Sequence, residues 1–242
     1  MLLQPAKIPA RTDFVETVYD VLVDAIIDGS LSPGERITQE EIAEQLHVSR
    51  SPVLQALRLL KKDGLIEDAP GRGVQVAPLD SVWVGHLYEV RGALDALAVR
   101  LAIQAGARID PGLIGRGRAA TESGELKQII DADTDFHNAI YAASGNPLIA
   151  ETASRHWIHL RRVMGAVHRW ASQRSTIWDE HEQIVQAINA GDADRAVRLT
   201  EQHIHSAKAG LLRQLDDQLA QAQGQEQQVA NPVRQGEIAQ WV

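Results

Sequence analysis

The feature that most constrains this chain is the spacing of its apolar residues after residue 81. From there to about residue 222 they recur every three or four positions, with Gly, Pro or Asp between segments and almost no strand-like alternation. This spacing predicts helices at roughly 82–106, 111–124, 126–144, 147–171, 175–190 and 192–222. Six such helices favour a mostly α fold, with a C-terminal six-helix antiparallel bundle whose interior is large enough for a ligand.

The first 80 residues follow a different pattern. Apolar residues at helical spacing predict an amphipathic helix that ends at Gly29. Thr38 and Glu41 have the spacing of a capping box at the start of a second helix. After a short turn, Ser49 is placed to cap a third helix. Two helices joined by such a turn are typical of a helix-turn-helix.

A hairpin is expected directly after the third helix. The strand-like stretches 65–67 and 74–76 flank a tip of Ala, Pro, Gly and Arg at 69–73. A hairpin in this place supplies the wing of a winged helix-turn-helix. We therefore expect an N-terminal winged helix-turn-helix followed by the helical bundle.

These patterns divide the chain into segments. We expect an N-terminal arm at 1–11, a winged helix-turn-helix domain at 12–77, a linker at 78–81 around Pro78, a helical domain at 82–222, and a polar, Gln-rich tail at 223–242. No internal repeat of fixed period is visible, which argues against a solenoid.

Composition excludes several classes of protein. The 242 residues include no cysteine, so disulfide frameworks, thiolate zinc fingers, iron–sulfur clusters and cysteine nucleophiles are ruled out. Apolar residues make up 44%, an ordinary value for a globular chain, and no apolar run is long enough for a membrane span or a signal-peptide core. We expect a cytoplasmic protein with no membrane partner.

The net charge of −8 does not by itself favour nucleic-acid binding, but binding depends on a local basic face. The start of the third helix would be free to meet base edges in the major groove, and the wing tip could reach the neighbouring groove. The candidate DNA-binding residues are Ser49, Arg50, Ser51, Gln55, Arg58, Arg72 and Gly73. The alternative is a small three-helix unit with a solvated charged face.

Four polar residues in the helical half could meet at one point. Asp133 and His137 lie one turn apart on a face shared with apolar residues, and His181 and His203 lie on the apolar faces of two later helices. One carboxylate and three imidazoles suit Zn²⁺, Ni²⁺ or Mn²⁺. The alternative is that each histidine is satisfied in the core or at a helix end, as we expect for His86, His156, His159, His168 and His205.

The stretch LSPGERITQEEIAEQLHVSRSPVLQALRLLKKDGLIEDAPGRGVQV resembles the winged helix-turn-helix of the GntR family of bacterial transcription regulators. The resemblance implies operator binding as a homodimer, with Arg50 and Ser51 at the base-reading end and Gly73 at the wing tip. Many relatives carry a DNA-contacting Arg where this chain has Leu54. The family's usual operator sequence is therefore not expected here.

The helical half is similar to the ligand-binding FCD domain of the FadR-type branch, through DADTDFHNAIYAASGNPLI, HEQIVQAINAGDADRAV and HIHSA. The metal ligands of that domain fall on Asp133, His137, His181 and His203, and six helices instead of seven resemble the VanR-like subgroup. In YEVRGALDALAVRLA, Arg91 stands where relatives commonly meet the carboxylate of a small organic acid. Alternatively, Arg91 pairs with Glu89, with Asp95 or with another helix.

Three functions are compatible with these features. The first is a transcription regulator, expected to be a repressor, whose operator affinity is set by a small carboxylate bound near a divalent metal. The second is a metal-dependent enzyme. The sequence argues against it, because it contains no His-Glu-x-x-His pattern, no phosphate-binding glycine loop and no nucleophile elbow. The third is a regulator with a purely structural metal.

Overall fold

The computed structural model describes residues 14–167 and 176–230, with side chains described as far as residue 222. The chain divides into two compact units, Met1–Leu79 and Asp80–Val242. The expected arm at 1–11, His168 and the last part of the expected tail lie outside the described residues. The prediction of a mostly α protein with a winged helix-turn-helix before a helical domain is confirmed.

The first unit contains three helices and three short strands. They are α1 (Phe14–Asp28), β1 (Arg36–Ile37), α2 (Gln39–Gln45), α3 (Arg50–Lys62), β2 (Ile66–Asp68) and β3 (Val74–Val76). α1 packs on α3 and α2 packs on α3. The buried residues of α1 and α3 recur at three- and four-residue spacing, so each helix turns one apolar stripe toward the core.

The sequence predicted side-chain caps at the starts of α2 and α3, and only the cap of α2 is present. The capping box of Thr38 and Glu41 is present at α2. Ser49 has the backbone conformation of an N-cap, but its side chain makes no capping hydrogen bond, so the prediction that its hydroxyl caps α3 is wrong. The first amides of α3 therefore lack a side-chain cap, and an outside acceptor such as water or phosphate can meet them.

The wing is a three-stranded antiparallel sheet in the order β1-β3-β2, with Ile37 opposite Val74 and Ile66 opposite Val76. The sequence predicted β2 and β3 but missed β1, because two residues are too few to show alternation. At the tip, Gly73 has a φ of +91°, and a Cβ there would lie 3.3 Å from the Ile37 carbonyl oxygen. Glycine is needed for both reasons.

The second unit consists of six helices in the described part of the chain. They are α4 (Ser81–Gln104), α5 (Gly112–Ser123), α6 (Leu126–Ala143), α7 (Pro147–Ala166), α8 (Ile177–Asn189) and α9 (Ala193–Ala230). α4 is central and packs against α6, α7, α8 and α9.

Several helix ends differ from the sequence expectation, and α7, for example, ends at Ala166 rather than at residue 171. α4 begins at Ser81, inside the expected linker, because the Asp80 side chain accepts hydrogen bonds from the Val82 and Trp83 amides and caps the helix there. α9 continues past residue 222 to Ala230, into the expected tail. Gln and Ala are good helix formers, and a polar helix needs no apolar face to continue beyond the core.

No helix in residues 14–167 or 176–230 combines the length and the apolar character that a membrane crossing requires.

Helices α5 and α8 of the second unit are in close contact. Gly117 lies directly under the ring of Trp178, and a Cβ on Gly117 would lie 2.0 Å from Trp178 Cζ2. Trp178 is buried, and its indole N–H donates to Thr121 Oγ1 at 3.0 Å. The two helices can therefore approach this closely only with glycine at residue 117.

We expect Gly117→Ala to lower the free energy of unfolding by about 3 kcal/mol, because the methyl group overlaps a buried ring that has little room to move. The matched control is Gly115→Ala on the same helix, where nothing lies within 4 Å of the new Cβ. That variant should be more stable by about 0.5–1 kcal/mol, since alanine favours the helix. Guanidinium denaturation of both variants measures the difference, and equal effects would contradict the close contact.

Candidate metal centre and nucleic-acid interface

Three imidazoles from three helices converge inside the second unit. His137 on α6, His181 on α8 and His203 on α9 each offer a ring nitrogen, and the three atoms lie within 4.8 Å of one another. All three residues are buried, and His181 Nε2 is 3.2 Å from His203 Nε2. The predicted meeting of these three histidines is therefore present, in an arrangement that could hold a metal ion.

Asp133 lies at the edge of this histidine cluster. Its Oδ1 is 3.7 Å from His181 Nε2, and the residue is only 4% exposed. Neither carboxylate oxygen has a hydrogen-bond partner among the residues that the structure describes. A buried carboxylate without a donor is costly. The four residues thus fit a divalent cation, which would bind the carboxylate and the neutral imidazoles together.

Neighbouring side chains hold the histidines in position. Glu180 Oε2 is 2.8 Å from His203 Nδ1, and Asp95 Oδ2 is 3.3 Å from His137 Nδ1. The Phe136 ring stacks on His181 with 3.8 Å between the ring centroids. The carboxylate at Nδ1 of His203 directs the Nε2 atom of that ring away from Glu180 and toward His181.

Charges inside the unit keep His137 in the form that binds metals. Burial lowers the pKa of His137, and the positive charge of Arg91 lowers it further. Burial acts to raise the pKa of Asp95, but its contacts with His137 and Arg91 outweigh burial and hold that pKa below the usual value. At neutral pH we therefore expect a neutral imidazole beside an ionised carboxylate.

Arg91 lies beside the histidine cluster and is 3% exposed. Its Nη2 atom is 2.5 Å from His137 Nε2 and 3.8 Å from Asp133 Oδ2, and its Nε atom is 3.5 Å from Asp95 Oδ2. The guanidinium carbon lies 4.4 Å from the centroid of the Trp157 ring. Within the described chain, Nε and Nη1 have no hydrogen-bond partner.

The alternatives for Arg91 are resolved in part. Arg91 does contact Asp95, as one alternative had it, and it also contacts α6. Glu89 instead accepts a hydrogen bond from Lys208 at 2.8 Å. Because a buried guanidinium has five donors, the contacts to Asp95 and α6 leave capacity for a further acceptor.

The remaining described histidines of the second unit lie elsewhere. His86 and His205 are exposed and His156 is half-buried. His159 is buried on α7, with its ring edge against Trp83. The sequence did not identify Glu180 or Asp95 as neighbours of the cluster, because each contacts a histidine on a different helix and no spacing along the chain shows such a pair.

The candidate DNA-binding residues lie on the surface of the first unit. Ser49, Arg50, Ser51 and Gln55 are exposed in the first turns of α3, Arg58 is exposed in its second half, and Arg72 and Gly73 are exposed at the wing tip. Arg36 donates a hydrogen bond to the Arg72 carbonyl at 2.5 Å and so ties the tip to β1. The geometry offers a helix start and a wing, which is the arrangement that major-groove reading requires.

Comparison with known proteins agrees with both units. Residues 14–76 match the family described as bacterial regulatory proteins, gntR family, and residues 86–206 match the FCD domain. The chain is 27% identical over 205 residues to the HTH-type transcriptional regulator YdhC of Bacillus subtilis, covering 82% of this chain and 89% of YdhC.

Two further similarities follow the same pattern. A probable D-xylose utilization operon transcriptional repressor of Paenarthrobacter nicotinovorans is 29% identical over 200 residues, which cover 80% of this chain and 87% of the repressor. The solved structure of Escherichia coli McbR/YncC superposes with a TM-score of 0.71 at 23% identity, covering 84% of this chain and 98% of McbR. That likeness concerns the fold.

A winged helix-turn-helix joined to an FCD domain defines a DNA-binding transcription regulator rather than an enzyme. The chain belongs to the GntR family of bacterial regulatory proteins, in which it carries the FCD domain.

Proposed function

We propose that the chain is a homodimeric repressor whose operator affinity is controlled by a small carboxylate bound between Arg91 and a divalent metal ion. The observation that carries this proposal is the contact between Arg91 Nη2 and His137 Nε2 at 2.5 Å, beside a buried carboxylate that lacks a donor. A cationic donor next to a cluster of metal-ligating side chains selects an anion that can use both.

The metal would be held by Asp133, His137, His181 and His203, and it would supply a fixed positive charge for an anionic ligand. Zn²⁺, Ni²⁺ and Mn²⁺ each suit this donor set. His137 Nε2 is the atom that Arg91 now contacts. With this nitrogen engaged by a metal ion, the Arg91 donors would be free to bind a ligand.

Charge balance supports an anionic effector. Among the buried groups, Arg91 and Arg162 are cations and Asp95 and Asp133 are anions, so a bound dication would leave positive charge in excess. Glu180 is 30% exposed and is screened by water. A carboxylate would reduce this excess, and its two oxygens match the planar guanidinium.

We expect the chain to bind one Zn²⁺ ion. The Asp133→Asn substitution should strongly lower the affinity for Zn²⁺, because it removes a ligand. Glu180→Gln should weaken it by roughly 10–100-fold, because His203 loses the anion at its Nδ1 atom. Competition against a fluorescent chelator measures both affinities.

The matched control is Glu182→Gln on the same helix. It removes the same charge, but Glu182 pairs with Arg118 and not with the cluster. If the wild-type chain binds no Zn²⁺, Ni²⁺ or Mn²⁺, or if both Gln variants bind alike, the proposed site is wrong.

We expect a panel of acetate, glycolate, pyruvate and succinate to contain a ligand that raises the melting temperature of the metal-loaded protein and releases it from DNA. Arg91→Lys should abolish the thermal shift, because an ammonium cannot pair with a carboxylate in the bidentate manner. Arg100→Lys on the exposed side of the same helix is the control.

The alternative is a regulator with a purely structural metal and no effector. In that case removing the metal changes DNA affinity, and no carboxylate of a wider panel gives a thermal shift. A ligand that strengthens operator binding would contradict repression relieved by the effector.

The proposed homodimer is supported by an apolar stripe on α4. Trp83, Val90 and Leu97 are spaced by seven residues, so they share one face, and they are 42%, 43% and 40% exposed. Two copies joined there would present two α3 helices to two half-sites. Effector binding would then act by changing the separation of these two helices.

We expect light scattering to give about twice the chain mass of 26.5 kDa. Selection from a random duplex library should return a palindrome with half-sites about one helical turn apart. Val90→Glu should give a monomer that binds DNA weakly, whereas a Val82→Glu variant, one residue outside the stripe, should remain a dimer. A wild-type monomer, or selected sites without symmetry, would contradict the dimer.

A further inference from the structure

The start of α3 is held by two side chains from α2. Gln39 Nε2 donates to the Arg50 carbonyl oxygen at 2.8 Å, and Glu40 Oε1 lies 3.1 Å from Arg50 Nη1. The next residue, Glu41, completes the capping box of α2. The first turn of α2 thus holds Arg50 at both its backbone and its guanidinium.

The ion pair of Glu40 and Arg50 contributes little to folding. Their side chains are 58% and 67% exposed, and exposed pairs of this kind are weak in water. The ion pair nevertheless affects DNA recognition, because it orients the Arg50 guanidinium. With Nη1 engaged, Nε and Nη2 have no hydrogen-bond partner within residues 14–167 and 176–230. These two N–H groups form an edge that matches O6 and N7 of guanine.

A carboxylate at this position is unfavourable for simple phosphate binding. The face around α3 must approach a polyanion, and each acidic group there weakens binding to every DNA sequence alike. Glu44, one turn later on α2, is also exposed and has no ion pair or side-chain hydrogen bond in the described chain. Glu40 differs from Glu44 because it contacts the residue placed to read a base.

We propose that Glu40 determines operator specificity by positioning Arg50 for one base, at the cost of general affinity for DNA. This inference rests on the proposed role of Arg50 in base reading. Without Glu40, the long Arg50 side chain is free to reach phosphates or other bases. Loss of Glu40 should therefore weaken discrimination while strengthening non-specific binding.

The test uses the full chain and duplex DNA. Selection from a random duplex library with wild-type protein gives the preferred site, and Arg50→Ala identifies the base position whose preference depends on Arg50. Binding of Glu40→Ala, Glu44→Ala and the Glu40→Ala/Arg50→Ala double variant is then measured to that site, to its single-base variants and to unrelated duplex. Thermal denaturation checks that each variant folds.

We expect Glu40→Ala to reduce the preference at the Arg50-dependent position by roughly three- to tenfold, a part of what one bidentate base contact provides. Affinity for unrelated duplex should rise by a similar factor in Glu40→Ala and Glu44→Ala, because both lose one negative charge. Glu44→Ala should keep the wild-type preference. In the double variant, loss of Glu40 should no longer change any base preference.

Two results would overturn the inference, and they are distinguishable. If Arg50→Ala loses a base preference while Glu40→Ala behaves as Glu44→Ala does, Arg50 reads the base without help from Glu40. If Arg50→Ala weakens all sequences equally, Arg50 contacts phosphate, and its proposed role and this inference fail together.

Discussion

The burial of Arg91 is the constraint on which the arrangement of the second unit depends. A guanidinium at 3% exposure is tolerated only where anions and polar atoms meet it. Asp95 on the same helix and Asp133 on α6 supply the anions, and Trp157 on α7 offers a ring face. The positions of three helices are thereby coupled to one charge. His137 lies at the centre of these contacts, so its orientation follows from them.

In the first unit, in contrast to the buried Arg91 of the second, the cations are exposed. These cations lie on the surface, along α3 and at the wing tip, where phosphates and base edges can be met. Close backbone contacts hold this surface in shape, with Gly73 beside the Ile37 carbonyl and Arg36 bonded to the Arg72 carbonyl. An exposed charged face suits a polyanion, and a buried charged cluster suits a small ion and its ligand.

Much of the site was predictable from residue types and helical spacing. Asp133 and His137 share one helix face by their four-residue separation, and the apolar neighbours of His181 and His203 indicate that both point inward. The failures have local causes. The Ser49 hydroxyl does not cap α3, β1 is too short to show a pattern, and α9 continues beyond the core. In each case the pattern of nearby residues did not show how the element is placed in the folded protein.

The sequence by itself determined the order of the helices and of the last two strands, the change from one unit to the next near residue 80, and the family to which the chain belongs. These features depend on spacing and turn chemistry within a few residues. Only the tertiary structure decided that Glu180 meets His203, that Asp133 on α6 also reaches Arg91, and that Glu40 contacts Arg50. Each of these contacts joins turns or helices whose separation in space is set by packing, and packing distances are not written in the spacing of residues along the chain.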